Sequence, residues 1–216
     1  MTDYSLEHIK RESSIVGNAP LIIMLHGYGS DENDLFSFAS ELPKEFFIIS
    51  VKAPHSMFPY GNAWYAINFD AEKGKWSDNK QAIESRDLIA KFIDEAIKNY
   101  PINKDNITLL GFSQGTILSY SVALTYPDKV KNIIALSGYI NTDIIPQNIN
   151  KEDLSHLSFY CSHGSLDQVI PVEWARKSPK ILESLGIDYK YSEFPVGHTV
   201  APQNFYEFRS WLENKI

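Results

Sequence analysis

The sequence is poor in cysteine and in clustered positive charge. Cys161 is the only cysteine among the 216 residues, so no disulfide can form within the chain, and its place in the apolar run 157–164 predicts a buried, inert thiol. Lys and Arg number 20 against 27 Asp and Glu, which gives a formal net charge of −7, and no basic run occurs. Because binding to a phosphate backbone needs clustered Lys and Arg, this composition argues against nucleic acid as a partner.

Long hydrophobic segments are also missing. No run approaches the roughly 18 apolar residues that a membrane-spanning helix needs. The N-terminal stretch MTDYSLEHIKRESSIV has neither the apolar core nor the small-residue cleavage site of a secretion signal. We therefore expect a cytoplasmic protein without stable membrane anchoring. No histidine pair with metal-site spacing, such as H-x-x-x-H, coincides with the active site predicted below, so we expect neither a metal nor another cofactor.

Apolar runs alternate with amphipathic stretches along the chain. Strands are predicted at residues 21–27, 45–54, 106–113, 130–139, 157–164 and 188–195. Helices are predicted at 31–42, 82–100, 114–126, after Pro171 and at 202–216, with Pro179 kinking or restarting the fourth and Ser178 as its cap. Residues 55–80 are interpreted as a long irregular excursion. Strands separated by helices predict one domain, residues 1–216, with a mainly parallel sheet covered on both faces.

A G-x-S-x-G pattern, GFSQG, surrounds Ser113. It follows a predicted strand and opens a predicted helix, which is the context of a nucleophile on a tight strand-to-helix turn. Glycines on both sides avoid collisions at such a turn, and the serine is exposed at the carboxyl edge of the sheet, where open α/β sheets bind ligands. The N–H of Gln114, at the helix N-terminus, is expected to donate to an oxyanion. The alternative is a helix N-cap with packing glycines.

An acid and a base follow Ser113 in the order that this fold uses, serine, then Asp or Glu, then His. Asp167 in SHGSLDQVIP comes just after a strand, and His198 in EFPVGHTVAP lies between the last strand and the last helix. His198 is therefore the predicted base and Asp167 the acid that fixes its tautomer. The alternatives are a turn or cap residue for Asp167 and an ordinary loop histidine for His198.

The second oxyanion donor is expected in the loop after an early strand. In LHGYGSDEND the glycines allow the backbone to approach a substrate, and the Tyr28 N–H can point inward. His26 precedes Ser113 in the chain, so we interpret it as a residue that braces this loop rather than as the base.

Four separated segments, LHGYGSDENDL, GFSQGTILSYSVALTYP, SHGSLDQVIPVEWAR and GHTVAP, together resemble the bacterial phospholipase/carboxylesterase family. These are small α/β-hydrolases without a cap domain, and they include the acyl-protein thioesterases. The resemblance extends from about Leu21 to the C-terminal helix. It implies an α/β-hydrolase fold without a cap domain and allows a homodimer. It also implies the roles of nucleophile, acid, base and two oxyanion donors for Ser113, Asp167, His198, Tyr28 and Gln114, respectively.

The sequence departs from the family pattern at three places. Thr116 stands where a third glycine is common, Pro179 interrupts the penultimate helix, and the loop text GNAWYAINFD differs. We expect the first two to concern packing and the third to concern the substrate.

The predicted activity is hydrolysis of carboxylic esters or thioesters through an acyl-enzyme, with a small-molecule ester or an acylated substrate. Trp64, Tyr65 and Val169 are expected to line the substrate pocket, although the first two could instead pack their loop onto the body of the protein. Two alternatives remain: an acetyl or feruloyl esterase acting on carbohydrate-linked esters, and a non-catalytic binding module with a hydrolase fold.

Overall fold

The computed structural model describes residues 4–70 and 74–216, which contain eleven strands and six α-helices. The strands are β1 (His8–Arg11), β2 (Ala19–Leu25), β3 (Phe47–Val51), β4 (His55–Ser56), β5 (Asn62–Ala63), β6 (Ile67–Asp70), β7 (Gly74–Ser77), β8 (Ile102–Phe112), β9 (Asn132–Leu136), β10 (Ser158–Gly164) and β11 (Asp188–Phe194). The helices are α1 (Asn33–Phe36), α2 (Asn79–Asn99), α3 (Gln114–Thr125), α4 (Val172–Ala175), α5 (Lys177–Ser184) and α6 (Pro202–Glu213).

Seven strands form one sheet in the order β1-β3-β2-β8-β9-β10-β11. All neighbouring strands pair in parallel except β1, which is antiparallel to β3. Two buried apolar clusters cover the two faces, one packing α2, α3 and α5 against the sheet, the other α1 and α6. No cap domain interrupts the described parts of the chain. The architecture is an α/β-hydrolase sheet flanked by helices, as the sequence predicted.

Strand β1 was not predicted, because its residues HIKR form no apolar run. The strand pairs with β3 at the sheet edge, from His8 opposite Val51 to Arg11 opposite Ile48. The Arg11 guanidinium also donates hydrogen bonds to main-chain carbonyls of Leu42, Pro43 and Phe46. These contacts join residues that are far apart in sequence, so the spacing of apolar residues cannot predict them.

Two predictions of local structure in the first half of the chain need correction. Helix α1 has a single turn, and residues up to Leu42 continue as turns with bonds across three residues, such as Ala39 N–H to Phe36. Residues 55–80 were interpreted as irregular, but β4 pairs with β5 and β6 pairs with β7; residues 71–73 lie outside the described residues. The 82–100 and 202–216 helices are present as α2 and α6, within a few residues.

The break before α5 falls at Arg176 rather than at Pro179. Pro179 sits in the first turn of α5, where a missing N–H costs no helical hydrogen bond. Ser178 is not a cap: it is buried inside the helix, and its hydroxyl accepts a hydrogen bond from the Ile140 N–H at 2.9 Å.

Cys161 is buried in β10, as predicted. Burial raises the pKa of its thiol to about 12, so the thiolate form is scarce at neutral pH. In the described ranges no helix is both long and apolar enough to cross a membrane.

Candidate active site

Ser113 occupies a strained turn between β8 and α3. Its backbone has φ 55° and ψ −116°, a conformation that a non-glycine residue adopts only under strong constraint. Flanking glycines make the turn feasible: a Cβ on Gly115 would lie 1.9 Å from the Leu25 carbonyl oxygen, and one on Gly111 would lie 2.5 Å from the Gly115 carbonyl oxygen. The glycine spacing in the sequence motif therefore has a steric cause.

Thr116, the departure from the family pattern, ties this turn to the neighbouring strand. Its hydroxyl lies 2.7 Å from the Gly111 carbonyl oxygen and 2.6 Å from that of Leu136, which also accepts the Ser113 N–H at 3.0 Å. A Cβ on Gly138 would lie 2.5 Å from the Thr116 methyl group. The extra side chain of Thr116 thus fills space that glycine at 138 leaves free.

The structure brings Ser113, His198 and Asp167 together, although they are far apart in sequence. His198 Nε2 is 3.0 Å from Ser113 Oγ, and His198 Nδ1 is 2.6 Å from Asp167 Oδ2. Because a carboxylate only accepts hydrogen bonds, Nδ1 carries the proton, and Nε2 is left to accept the serine hydroxyl. This tautomer is the one a general base needs.

The Asp167 carboxylate is fully buried and held on both oxygens. Oδ1 accepts the N–H groups of Val169 at 2.8 Å and Ile170 at 2.9 Å, while Oδ2 accepts His198. Burial by itself would raise the pKa of Asp167, but the hydrogen bonds from His198, Ile170 and Val169 outweigh it and hold the pKa below its ordinary value. The group therefore remains an anion facing the imidazole.

His163 is a neighbour of this site to which the sequence analysis assigned no role. Its ring is buried, with Nε2 2.9 Å from the Ile170 carbonyl oxygen and 3.3 Å from Asp167 Oδ2. Burial lowers its pKa, so the ring is neutral and Nε2–H donates to Ile170. His163 therefore supports the loop that holds Asp167. Its position directly before Gly164, at the end of β10, was the one sign in the sequence that it could lie near the site.

Tyr28 and Gln114, the predicted oxyanion donors, are each one residue from the contact between Gly27 and Ser113. Gln114 is the first residue of α3, and Tyr28 follows Gly27, on which a Cβ would lie 3.3 Å from Ser113 Cβ. Neither N–H has an acceptor among the residues that the structure describes. An oxyanion hole needs two main-chain donors near the nucleophile, and Tyr28 and Gln114 stay the predicted pair.

Comparison with known proteins identifies the family of this chain. The phospholipase/carboxylesterase family model matches residues 7–216. The chain belongs to that family. Membership makes the protein an ester hydrolase, which confirms the class of reaction predicted from the sequence.

Individual relatives are named as thioesterases or carboxylesterases. Acyl-protein thioesterase 1 of Debaryomyces hansenii is 26% identical over 212 residues, 90% of each chain. A probable carboxylesterase of Oryza sativa is 24% identical over 157 residues, 71% of this chain and 58% of that protein. The solved carboxylesterase of Bacillus cereus superposes with a TM-score of 0.83 at 19% identity, covering 98% of this chain and 95% of that one, and shows the fold.

The three residues expected to line the substrate pocket differ in accessibility. Trp64 and Tyr65 are buried, and both belong to the core cluster on the α2 face. Without exposed surface they cannot contact a substrate in this conformation, so the structure favours the alternative that they pack their loop onto the body. Val169 is 52% exposed in the loop that holds Asp167, beside Leu166, which is 61% exposed.

In the described parts of the chain, no three His, Cys, Asp or Glu side chains cluster in a way that would hold a metal ion. The acidic and imidazole groups around Ser113 are instead engaged with one another through the bonds given above.

Proposed function

We propose that this member of the phospholipase/carboxylesterase family cleaves carboxylic esters or thioesters through an acyl-enzyme on Ser113. The observation that carries the proposal is the continuous chain from Asp167 Oδ2 through His198 to Ser113 Oγ, with separations of 2.6 and 3.0 Å. These distances allow a proton to move between serine and histidine without rearrangement of the backbone.

In the acylation step His198 Nε2 accepts the Ser113 proton while Oγ attacks the carbonyl carbon of the substrate. The carbonyl π electrons move to oxygen, and this oxyanion accepts hydrogen bonds from the Tyr28 and Gln114 N–H groups. The tetrahedral intermediate collapses, the bond to the alcohol or thiol breaks, and the leaving group takes the proton from His198. The acyl group remains on Ser113 as an ester.

Deacylation repeats these steps with water. His198 accepts a proton from a water molecule while the oxygen of that water attacks the acyl carbon. The second tetrahedral intermediate then releases a carboxylic acid, and Ser113 regains its proton from His198. Asp167 stays ionised throughout and stabilises the imidazolium formed in each half-reaction.

The acyl part of the substrate is proposed to be apolar. Val169 and Leu166 expose apolar surface in the loop that holds Asp167, so they offer contact to an acyl chain. Thioesters are included because relatives carry the name acyl-protein thioesterase. Carbohydrate-linked esters are the alternative because aromatic side chains of residues 55–80 could stack on a sugar or a phenolic ring. The buried Trp64 and Tyr65 cannot do so, whereas Phe58 and Tyr60 of the same segment are exposed. Cytoplasmic location and a homodimer stay predictions.

The test is labelling with a fluorophosphonate probe, which forms a covalent bond to an activated serine. The wild-type protein should take up one probe molecule on Ser113, and the Ser113→Ala variant none. Equal labelling of both proteins, or none of either, contradicts the mechanism. Hydrolysis rates for p-nitrophenyl acetate, butyrate and octanoate, a feruloyl ester and matched thioesters then distinguish the acyl classes by kcat/KM.

A further inference from the structure

The two proposed oxyanion donors belong to different parts of the fold. Tyr28 follows β2, whereas Gln114 begins α3. An oxyanion hole is effective only if both donors lie about 2.7–3.1 Å from the same oxygen position. Something must therefore keep the two main-chain groups at a fixed separation.

Trp64, in the segment after β5, is bonded to both sides. Its indole Nε1–H donates to the His26 carbonyl oxygen at 2.9 Å, two residues before Tyr28. Its main-chain N–H donates to Gln114 Oε1 at 3.1 Å, and Gln114 Nε2 donates in turn to the Tyr65 carbonyl oxygen at 2.8 Å. One residue thus connects the backbone beside the first donor to the side chain of the second.

On the Tyr28 side, the orientation of the donor follows from the planar peptide group. His26 Nδ1–H donates to the Gly27 carbonyl oxygen at 2.8 Å, and the Ser30 N–H reaches the same oxygen at 3.3 Å. In a trans peptide the C=O and the following N–H point in opposite directions, so fixing the Gly27 carbonyl fixes the Tyr28 N–H. The His26 ring is itself held, because Nε2 accepts the Ala53 N–H at 3.1 Å.

The Trp64 connection is buried and leaves little freedom. Trp64, Gln114 and His26 have almost no exposed surface, and the Ser85 hydroxyl of α2 donates to the Trp64 carbonyl oxygen. The N–H, C=O and indole N–H of Trp64 are therefore all engaged. Buried hydrogen bonds of this kind are costly to break and specify one arrangement.

We propose that Trp64 is a positioning residue for catalysis, which sets the separation and direction of the Tyr28 and Gln114 N–H groups. The inference rests on the function proposed above. It gives the buried tryptophan a role in transition-state stabilisation without contact with the substrate.

The Trp64→Phe variant tests this role, because phenylalanine keeps most of the apolar volume but has no N–H for the His26 carbonyl. We expect kcat to fall about 10-fold with KM unchanged, less than the roughly 10²–10³-fold loss on removing an oxyanion donor outright. The inhibition constant of a trifluoromethyl ketone, whose adduct with Ser113 places an oxyanion in the hole, should rise by a similar factor.

Tyr160→Phe is the matched control. Tyr160 is equally buried and donates to Asn204 Oδ1 at 3.0 Å, but it belongs to the core cluster on the α6 face. The Tyr160→Phe variant should have a lower Tm, with kcat and the inhibition constant of the trifluoromethyl ketone unchanged. Gln114→Met is the second variant: it removes both side-chain hydrogen bonds, keeps the main-chain N–H, and should reproduce the Trp64→Phe effect, whether or not Trp64→Phe folds.

The inference is wrong if folded Trp64→Phe or Gln114→Met has a lower Tm but wild-type kcat and inhibition constant. Failure of the proposed function gives a different result, since the wild-type protein would then lack fluorophosphonate labelling at Ser113.

Discussion

Replacing Asp167 by asparagine changes one charge and reverses one hydrogen bond. Oδ1 accepts the Val169 and Ile170 N–H groups, so in Asp167→Asn the amide oxygen should keep that position and turn the NH₂ group toward His198. An NH₂ group donates, and Nδ1 must then accept. The imidazole proton moves to Nε2, which faces Ser113 Oγ and can no longer take its proton.

The expected loss in kcat is about 10⁴-fold, the size seen when a triad acid is replaced by its amide in serine proteases, and equals about 5.5 kcal/mol of activation free energy. The assay is steady-state hydrolysis of p-nitrophenyl butyrate, with Ser113→Ala as the background. KM should change little, because the Asp167 side chain is buried and offers no surface to a substrate.

The control is Asp188→Asn, the same chemical change at the start of β11. Asp188 accepts the Ser158 hydroxyl at 3.1 Å and lies at the amino edge of the parallel sheet, opposite the edge that carries Ser113. It should keep wild-type kcat. An Asp167→Asn enzyme within tenfold of wild type, or equal losses in both variants, would refute the tautomer argument.

Three further predictions concern stability and cofactors. Gly115→Ala should lose about 3 kcal/mol of unfolding free energy in urea titrations, because the new Cβ would lie 1.9 Å from the main-chain oxygen of Leu25; wild-type stability would contradict the steric argument. Although burial opposes it, hydrogen bonding lowers the pKa of Asp167 in the folded protein below its ordinary value of 3.8. The ionised carboxylate therefore stabilises the fold above pH 3.8, and this stabilisation is lost as the pH falls through the lower pKa of the folded state. The difference in unfolding free energy between wild type and Asp167→Asn should therefore shrink as the pH falls below 3.8, and a gap that widens there would show the opposite sign of coupling. Treatment with EDTA should leave esterase activity unchanged, and activity restored only by added metal would disprove the metal-free mechanism.

Much of the fold could be predicted because its signals are local. The runs that became β2, β9, β10 and residues 106–111 of β8 are buried without interruption, as strands covered on both faces must be. Edge strand β1 and the single turn of α1 escaped prediction because pairing with β3 and turns before Pro43 decide them. Propensity is a weak signal where tertiary contacts compete with it.

The active site also has a part that local sequence signals predict and a part that they do not. The candidate nucleophile, acid and base could be predicted from the sequence, because the glycine spacing around Ser113 and the order of Asp167 and His198 along the chain are local signals. The burial of Trp64 between His26 and Gln114, and the support that His163 gives to the loop of Asp167, depend on the folded arrangement and could not be predicted. The reason is physical: a turn's steric demands act on adjacent residues, whereas a buried donor is satisfied by whichever carbonyl the folded chain brings within 3 Å.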